Sequence, residues 1–288
     1  MAPLEDRELT SLAWERYSPR PLTDGEQWTA RELTLLRRRG YRPSAWNAFI
    51  RSSLERSNAS RRERPRMARQ ARAWGVAGAL AWIAAWRFAR DAEHAQLRLL
   101  PGLAWWVSVW QMLDWHLGMA EGGDGHPREL LAAADAITLT RFWLVPVAFG
   151  TRRSPALPAV IMLAGLTDWL DGAVARQNGR TRLGRDLDTM ADLAFAGSAA
   201  IVMRTTRRIT PLAFSALAAR QSIGVAIATA AVFARARRPA IRARPWGAAL
   251  RVGGLALSAA GRDRSGTVLL LAGCIVPPHS TAKHLSPA

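Results

Sequence analysis

Asp168-Trp169-Leu170-Asp171-Gly172-Ala173-Val174-Ala175-Arg176, seven further residues, and then Gly184-Arg185-Asp186-Leu187-Asp188-Thr189-Met190-Ala191-Asp192 set four carboxylates at paired spacings between two apolar blocks. Residues three or four apart share one face of a helix. Asp168 and Asp171 therefore project together from the end of one helix, and Asp188 and Asp192 from the start of the next. The polar turn between them, with Gly179 and Gly184, lets the two helices fold back so that the four carboxylates converge. Four anionic groups in one place repel one another unless cations sit between them. An all-oxygen shell suits hard divalent ions, so Mg²⁺ or Mn²⁺, as a pair of ions clamping a diphosphate, is the expected ligand set. A lone Asp here would be read as a helix cap or as a side chain in headgroup water; four at paired helical spacings are not.

The residues beside the carboxylates admit two readings each. Gly172 lies one turn beyond Asp168 and Ala175 one turn beyond Asp171. Small side chains there let a bulky ligand approach the backbone, and they also let helices pack closely in lipid. Arg176 either makes a charge-assisted contact to a diphosphate or anchors the helix end at the membrane surface.

Further out, almost half of the 288 residues are apolar, 13 are Trp, and 40 are Lys or Arg, with Lys283 the only lysine. The apolar residues gather at 73–89, 98–120, 136–151, 154–171, 187–203, 209–234, 246–260 and 265–278, separated by arginine-bearing stretches. That is the pattern of a multi-pass membrane protein whose loops meet lipid headgroups. The net charge of +18 points to an acidic partner, and the apolar blocks make that partner a membrane surface rather than nucleic acid. Several blocks are short against the ~20 residues a spanning helix needs. Ser154–Thr167 and Ser265–Pro278 reach that length only by borrowing polar ends, so one or two blocks are expected to be interfacial or re-entrant.

Cys274 stands alone, so no intrachain disulfide is available. Met1 to Arg20 are polar, which argues against a removable signal peptide. Residues 1–72 form a polar region with helical stretches near 29–39 and 44–56. Arg51, Arg56, Arg61, Arg62, Arg64, Arg66, Arg69 and Arg72 precede the first apolar block. Such a cluster either attracts anionic lipid at ~1 kcal/mol per basic residue or forms a solvated arm. With that arm cytoplasmic, loops near 176–186 and 235–245 are cytoplasmic and basic, as the positive-inside rule asks, although Arg152, Arg153, Arg204, Arg207 and Arg208 fall on the other side. The expected architecture is an all-α, polytopic helix bundle: a polar arm over 1–72, two extra membrane helices over 73–120, and a six-helix catalytic core over 121–288.

The central stretch resembles the signature of the CDP-alcohol phosphotransferase family, Asp-x-x-Asp-Gly-x-x-Ala-Arg, seven or eight residues, then Gly-x-x-x-Asp-x-x-x-Asp, and matches it at every fixed position. Asp135-Ala-Ile-Thr138-Leu-Thr-Arg141, with Pro146 beyond, is similar to the family's first-helix pattern, with Asp135 in place of the usual Asn. The resemblance implies metal-dependent transfer of a phosphatidyl group from a CDP-lipid such as CDP-diacylglycerol to a small alcohol, with release of CMP. It implies metal ligation by Asp168, Asp171 and Asp188, a metal-bordering base at Asp192, and a nucleotide pocket of Gly172, Ala175, Arg176 and Gly184. It also implies a homodimer and no nucleic-acid partner.

Arg220 lies inside an apolar block, where a cation costs ~2.5–3.5 kcal/mol on insertion scales and faces a cavity by default. Ala219-Arg220-Gln221 resembles the Arg-Glu pair in the fourth helix of phosphatidylglycerophosphate synthases, which makes glycerol 3-phosphate the leading acceptor. Gln221 in place of Glu, and Leu193 where those enzymes commonly carry Lys, depart from that pattern. Arg220 would bind an acceptor phosphate or pair with an internal carboxylate. Two rivals share the Asp-rich helices: an intramembrane prenyltransferase, whose motifs lie on separate helix pairs and lack the Gly-x-x-Ala-Arg continuation, and a cation transporter, which needs no nucleotide pocket.

Overall fold

A computed structural model describes residues 23–90, 96–122, 125–179, 181–233, 241–242, 245–276 and 279–280. The chain is all-helical. Ten α-helices run in order: α1 (Asp24–Arg38), α2 (Pro43–Glu63), α3 (Pro65–Ala89), α4 (Leu99–Trp115), α5 (Ala133–Gly150), α6 (Leu157–Asn178), α7 (Arg182–Thr205), α8 (Pro211–Phe233), α9 (Pro245–Ala259) and α10 (Asp263–Ile275). Among the described residues the strands amount to one antiparallel pair, Ile241–Arg242 with His279–Ser280. Helices α3 to α10 follow the eight apolar blocks one for one. Among the described residues two helices, α6 and residues 211–230 of α8, are long and apolar enough to cross a membrane. At 15 and 13 residues, α9 and α10 are shorter than a span requires.

The expected arm begins with two helices that pack on the rest of the chain. Thr23 and Glu26 form a capping box at the start of α1, and Pro43 and Pro65 open α2 and α3, where their missing N–H groups are not needed. The Thr23 hydroxyl donates to Glu121 Oε2 at 2.6 Å, Arg182 Nη2 donates to Thr29 Oγ1 at 3.2 Å, and Arg37 Nε donates to the Phe233 carbonyl at 3.2 Å. Part of the basic zone is also committed inward: Arg61 pairs with the buried Asp114 at 3.0 Å, and Arg64 donates to the Leu117 carbonyl at 3.3 Å. Within residues 23–72, Thr23, Arg37, Arg61 and Arg64 thus find acceptors on later segments, while Arg51, Arg62, Arg66, Arg69 and Arg72 stay exposed. Residues 1–22 lie outside the described part.

Tryptophan supplies much of the contact between α3, α4 and α5. Trp106 Nε1 donates to the Gly75 carbonyl at 2.7 Å, Trp110 to Ala71 at 3.0 Å, Trp143 to Gly78 at 3.2 Å and Trp105 to Phe142 at 2.8 Å. Each indole buries its apolar body while its N–H finds a backbone acceptor, the arrangement a low-dielectric interior demands. Glycine makes room for them: a Cβ at Gly102 would sit 2.0 Å from the Trp82 ring. Helices α9 and α10 approach closely at Gly254 and Gly266, where a Cβ on Gly266 would meet the Gly254 carbonyl at 2.7 Å.

The site is positioned by α5, which lies between the two aspartate helices. Helices α6 and α7 each pack mainly on α5 and little on each other. Their connection is also tighter than the loop expected over 176–186. Helix α6 continues to Asn178, Gly179 turns at φ +83°, and Thr181 caps α7 by accepting from the Gly184 amide at 2.9 Å. Local capping outweighs the polarity of those residues.

Candidate active site

Asp168 and Asp171 stand on α6 about two turns before its end, and Asp188 and Asp192 stand on α7 from its second turn onward. One carboxylate oxygen each from Asp168, Asp171 and Asp188 lies within 4.8 Å of the others. This hard, all-oxygen donor set fits a divalent cation of the Mg²⁺ or Mn²⁺ kind. Asp171 is buried, with its side chain 6 % exposed, whereas the side chains of Asp168, Asp188 and Asp192 are between 43 % and 55 % exposed. One carboxylate is thus fixed by the fold and the other three are partly exposed.

The centre of this arrangement is Arg141, a residue that the spacing of the aspartates could not indicate. Its side chain is 2 % exposed, and its fork reaches all four carboxylates. Nη2 lies 2.6 Å from Asp171 Oδ2 and 3.4 Å from Asp168 Oδ1; Nη1 lies 2.9 Å from Asp188 Oδ1 and also donates to Asp192 Oδ1. A planar guanidinium can bridge two helices in this way, where a point-charge ammonium could not. Thr138, one turn earlier on α5, donates to Asp171 Oδ2 at 2.7 Å. Asp135, Thr138 and Arg141 form one buried face of α5 directed at the aspartate helices. Asp192 joins the group through Arg141, outside the close trio.

A cavity of about 110 Å³ opens beside the trio. Asp171, Gly172 and Ala175 of α6, Gly184 and Asp188 of α7, and Asp135 and Thr138 of α5 line it. A Cβ at Gly172 would meet Arg176 Nη1 at 3.3 Å and nothing from another helix, so this glycine opens the cavity wall rather than a helix contact. Arg176 itself is exposed and folds back over Gly172. Gly184 is required by crowding: a Cβ there would meet Asp135 Oδ1 at 2.7 Å.

Arg220 is placed apart from the trio. Its Nη1 donates to the carbonyls of Cys274 and Val276 at 3.2 and 3.5 Å, at the C-terminal end of α10. Arg251 of α9 donates to the Gly273 carbonyl at 2.9 Å, and its charged neighbours include Arg220 and Asp192. Among the described residues neither arginine is ion-paired with a carboxylate, so the internal-carboxylate reading of Arg220 finds no partner here. The sequence pointed to Arg220 and not to Arg251, because their proximity depends on how α8, α9 and α10 meet.

A helical bundle that gathers carboxylates able to hold a divalent cation, beside a cavity walled by small residues, has the parts that group transfer in a membrane needs. The sequence model of the CDP-alcohol phosphatidyltransferase family matches residues 131–276, just over half of the chain, and the protein belongs to that family. No curated protein and no solved structure gives a significant match. The family makes the chain a transferase acting between a CDP-alcohol donor and an alcohol acceptor; its members are membrane proteins and generally depend on divalent metal.

Proposed function

We propose that this protein transfers the phosphatidyl group of a CDP-linked lipid such as CDP-diacylglycerol to the hydroxyl of a small alcohol, releasing CMP, as a step of phospholipid synthesis. The observation that carries this reading is the carboxylate trio, two of whose members, Asp171 and Asp188, line a cavity together with Gly172, Ala175 and Gly184. Asp168, Asp171 and Asp188 hold Mg²⁺ or Mn²⁺, two ions in all, with Asp192 at the border of the site. When bound, the ions neutralise the diphosphate and make CMP a better leaving group.

The chain's own residues do the rest. Gly172 and Ala175 let the nucleotide lie against α6, and Arg176, folded over Gly172, faces the phosphates. Asp192, half exposed and oriented by Arg141, takes the proton from the acceptor hydroxyl. The acceptor oxygen forms a bond to the lipid-bearing phosphorus, the bond from that phosphorus to the CMP oxygen breaks, and CMP leaves with the electron pair. The chain is read as a multi-pass protein of the cell membrane and as a homodimer. Its site opens to the cytoplasm on the side of α1 and α2, and the exposed arginines of residues 51–72 lie toward anionic lipid. The deciding measurement is release of labelled CMP from CDP-diacylglycerol across a panel of acceptors, with Mg²⁺ and with chelator. Consumption of a prenyl diphosphate in place of the CDP-lipid would replace this reading.

Glycerol 3-phosphate is the proposed acceptor, its phosphate held by Arg220 together with Arg251. Arg220→Ala is expected to raise the acceptor KM by an amount worth ~1.5–3 kcal/mol, the scale of a hydrogen bond to a charged group, and to leave donor binding nearly unchanged. Kinetics with glycerol 3-phosphate, myo-inositol phosphate and an uncharged alcohol check it. A residue that only caps the end of α10 would lower turnover with all three alike.

A further inference from the structure

We propose that Asp135 reads the sugar of the nucleotide donor, accepting a ribose hydroxyl on the one carboxylate oxygen that the protein leaves unbonded; this rests on the CDP-donor reading above. Asp135 is 1 % exposed and stands in the first turn of α5, in the cavity wall. Its two oxygens have different fates. Oδ2 accepts from the Ala132 amide at 2.9 Å, which ties down the start of the helix. Oδ1 is buried and has no hydrogen-bond partner among the described residues.

A buried acceptor without a donor is destabilising, and native structures contain few of them, so this oxygen calls for a partner from outside the chain. The Thr138 hydroxyl is engaged elsewhere, and the Thr181 hydroxyl makes no hydrogen bond to Oδ1. Thr138 donates to Asp171, and the Thr181 hydroxyl accepts from the Gly184 amide. Gly184 is what leaves room beside Oδ1, since a Cβ there would lie 2.7 Å away.

The chemistry of the partner follows from position. Asp135 is not one of the three carboxylates whose oxygens converge. It lies one helical turn from Thr138, which itself bonds the metal-side Asp171. A donor anchored by its diphosphate at Asp171 and Asp188 extends its ribose along the cavity before its base. The ribose is therefore the first group bearing O–H donors to reach Asp135. Carboxylates serve the same purpose toward ribose hydroxyls in dinucleotide-binding folds.

The test uses the full-length protein in detergent with Mg²⁺ and measures binding of CDP, 2′-deoxy-CDP, 3′-deoxy-CDP and UDP by calorimetry. For the wild type, one of the two deoxy analogues is expected to bind roughly tenfold to a hundredfold more weakly than CDP, the range of a hydrogen bond to a charged group. Asp135→Asn, which keeps an acceptor for the Ala132 amide, should narrow that ratio several-fold, and Asp135→Ala should bring it close to one. If Asp135 only caps α5, Asp135→Asn will weaken all four ligands alike and keep the ratio, which overturns the proposal. A ratio that narrows between CDP and UDP instead assigns Asp135 to the base and also overturns it. Failure of the wild type to bind CDP at all would overturn the donor reading, and this inference with it.

Discussion

Asp188→Asn is expected to abolish turnover, lowering it by about three orders of magnitude or more, while the protein still folds and inserts. The size follows from the several kcal/mol of charge stabilisation that a bound metal supplies, each 1.36 kcal/mol being a factor of about ten in rate. Asp188 is an informative position because the fold holds it lightly. Its side chain is 43 % exposed and receives one contact, from Arg141 Nη1 at 2.9 Å. Asp171, by contrast, is buried and bonded to both Thr138 and Arg141, so its loss would mix folding with chemistry. A second readout separates the metal from the rate. Ligand that binds only the folded state stabilises it by ~2.7 kcal/mol at a hundred times its Kd. The wild type should therefore gain thermal stability with Mg²⁺ or Mn²⁺, and Asp188→Asn should gain much less at the same concentration. A well-folded Asp188→Asn protein that turns over fully in chelator would remove metal from the mechanism.

Apolar blocks were legible because each is a continuous apolar run bounded by arginine-bearing stretches, and a pattern of this kind needs no tertiary information. Their ends were less so. Residues 176–186 read as a loop from their charge, yet Arg176 to Asn178 stay helical and Thr181 starts the next helix. The aspartates could be paired within each helix from the three- and four-residue spacing. Nothing in that spacing says that α5 passes between the helices, and so the role of Arg141 was out of reach even though Thr138 and Arg141 stood in a recognisable pattern. Arg61 is a similar case. Among eight arginines before an apolar block it reads as lipid-facing, but its carboxylate, Asp114, arrives from the far end of α4. Contacts between distant segments decide these residues, and a linear reading reaches them only through family resemblance.

Arg141→Ala is expected to destabilise the metal-free protein by ~3–5 kcal/mol, because removing one partner of a buried ion pair leaves the other charges uncompensated. Here four carboxylates lose their shared counter-charge at once: Asp168, Asp171, Asp188 and Asp192 all contact a guanidinium that is 2 % exposed. Divalent metal can supply the missing charge. Saturating Mg²⁺ should therefore restore more stability to Arg141→Ala than to the wild type, and its half-maximal effect should come at a lower concentration, since the ion no longer competes with an arginine for the same oxygens. Arg141→Lys keeps a positive charge but cannot reach both aspartate helices with one fork. It should fall between the two in metal-free stability and should lose the orientation of Asp192, so that turnover stays low even where Mg²⁺ has recovered the fold. Thermal unfolding against Mg²⁺ concentration for the three proteins checks this directly. If the stability gap between wild type and Arg141→Ala were the same with and without metal, Arg141 would act through packing on α5, and the view that it holds the carboxylates together by charge would have to be given up.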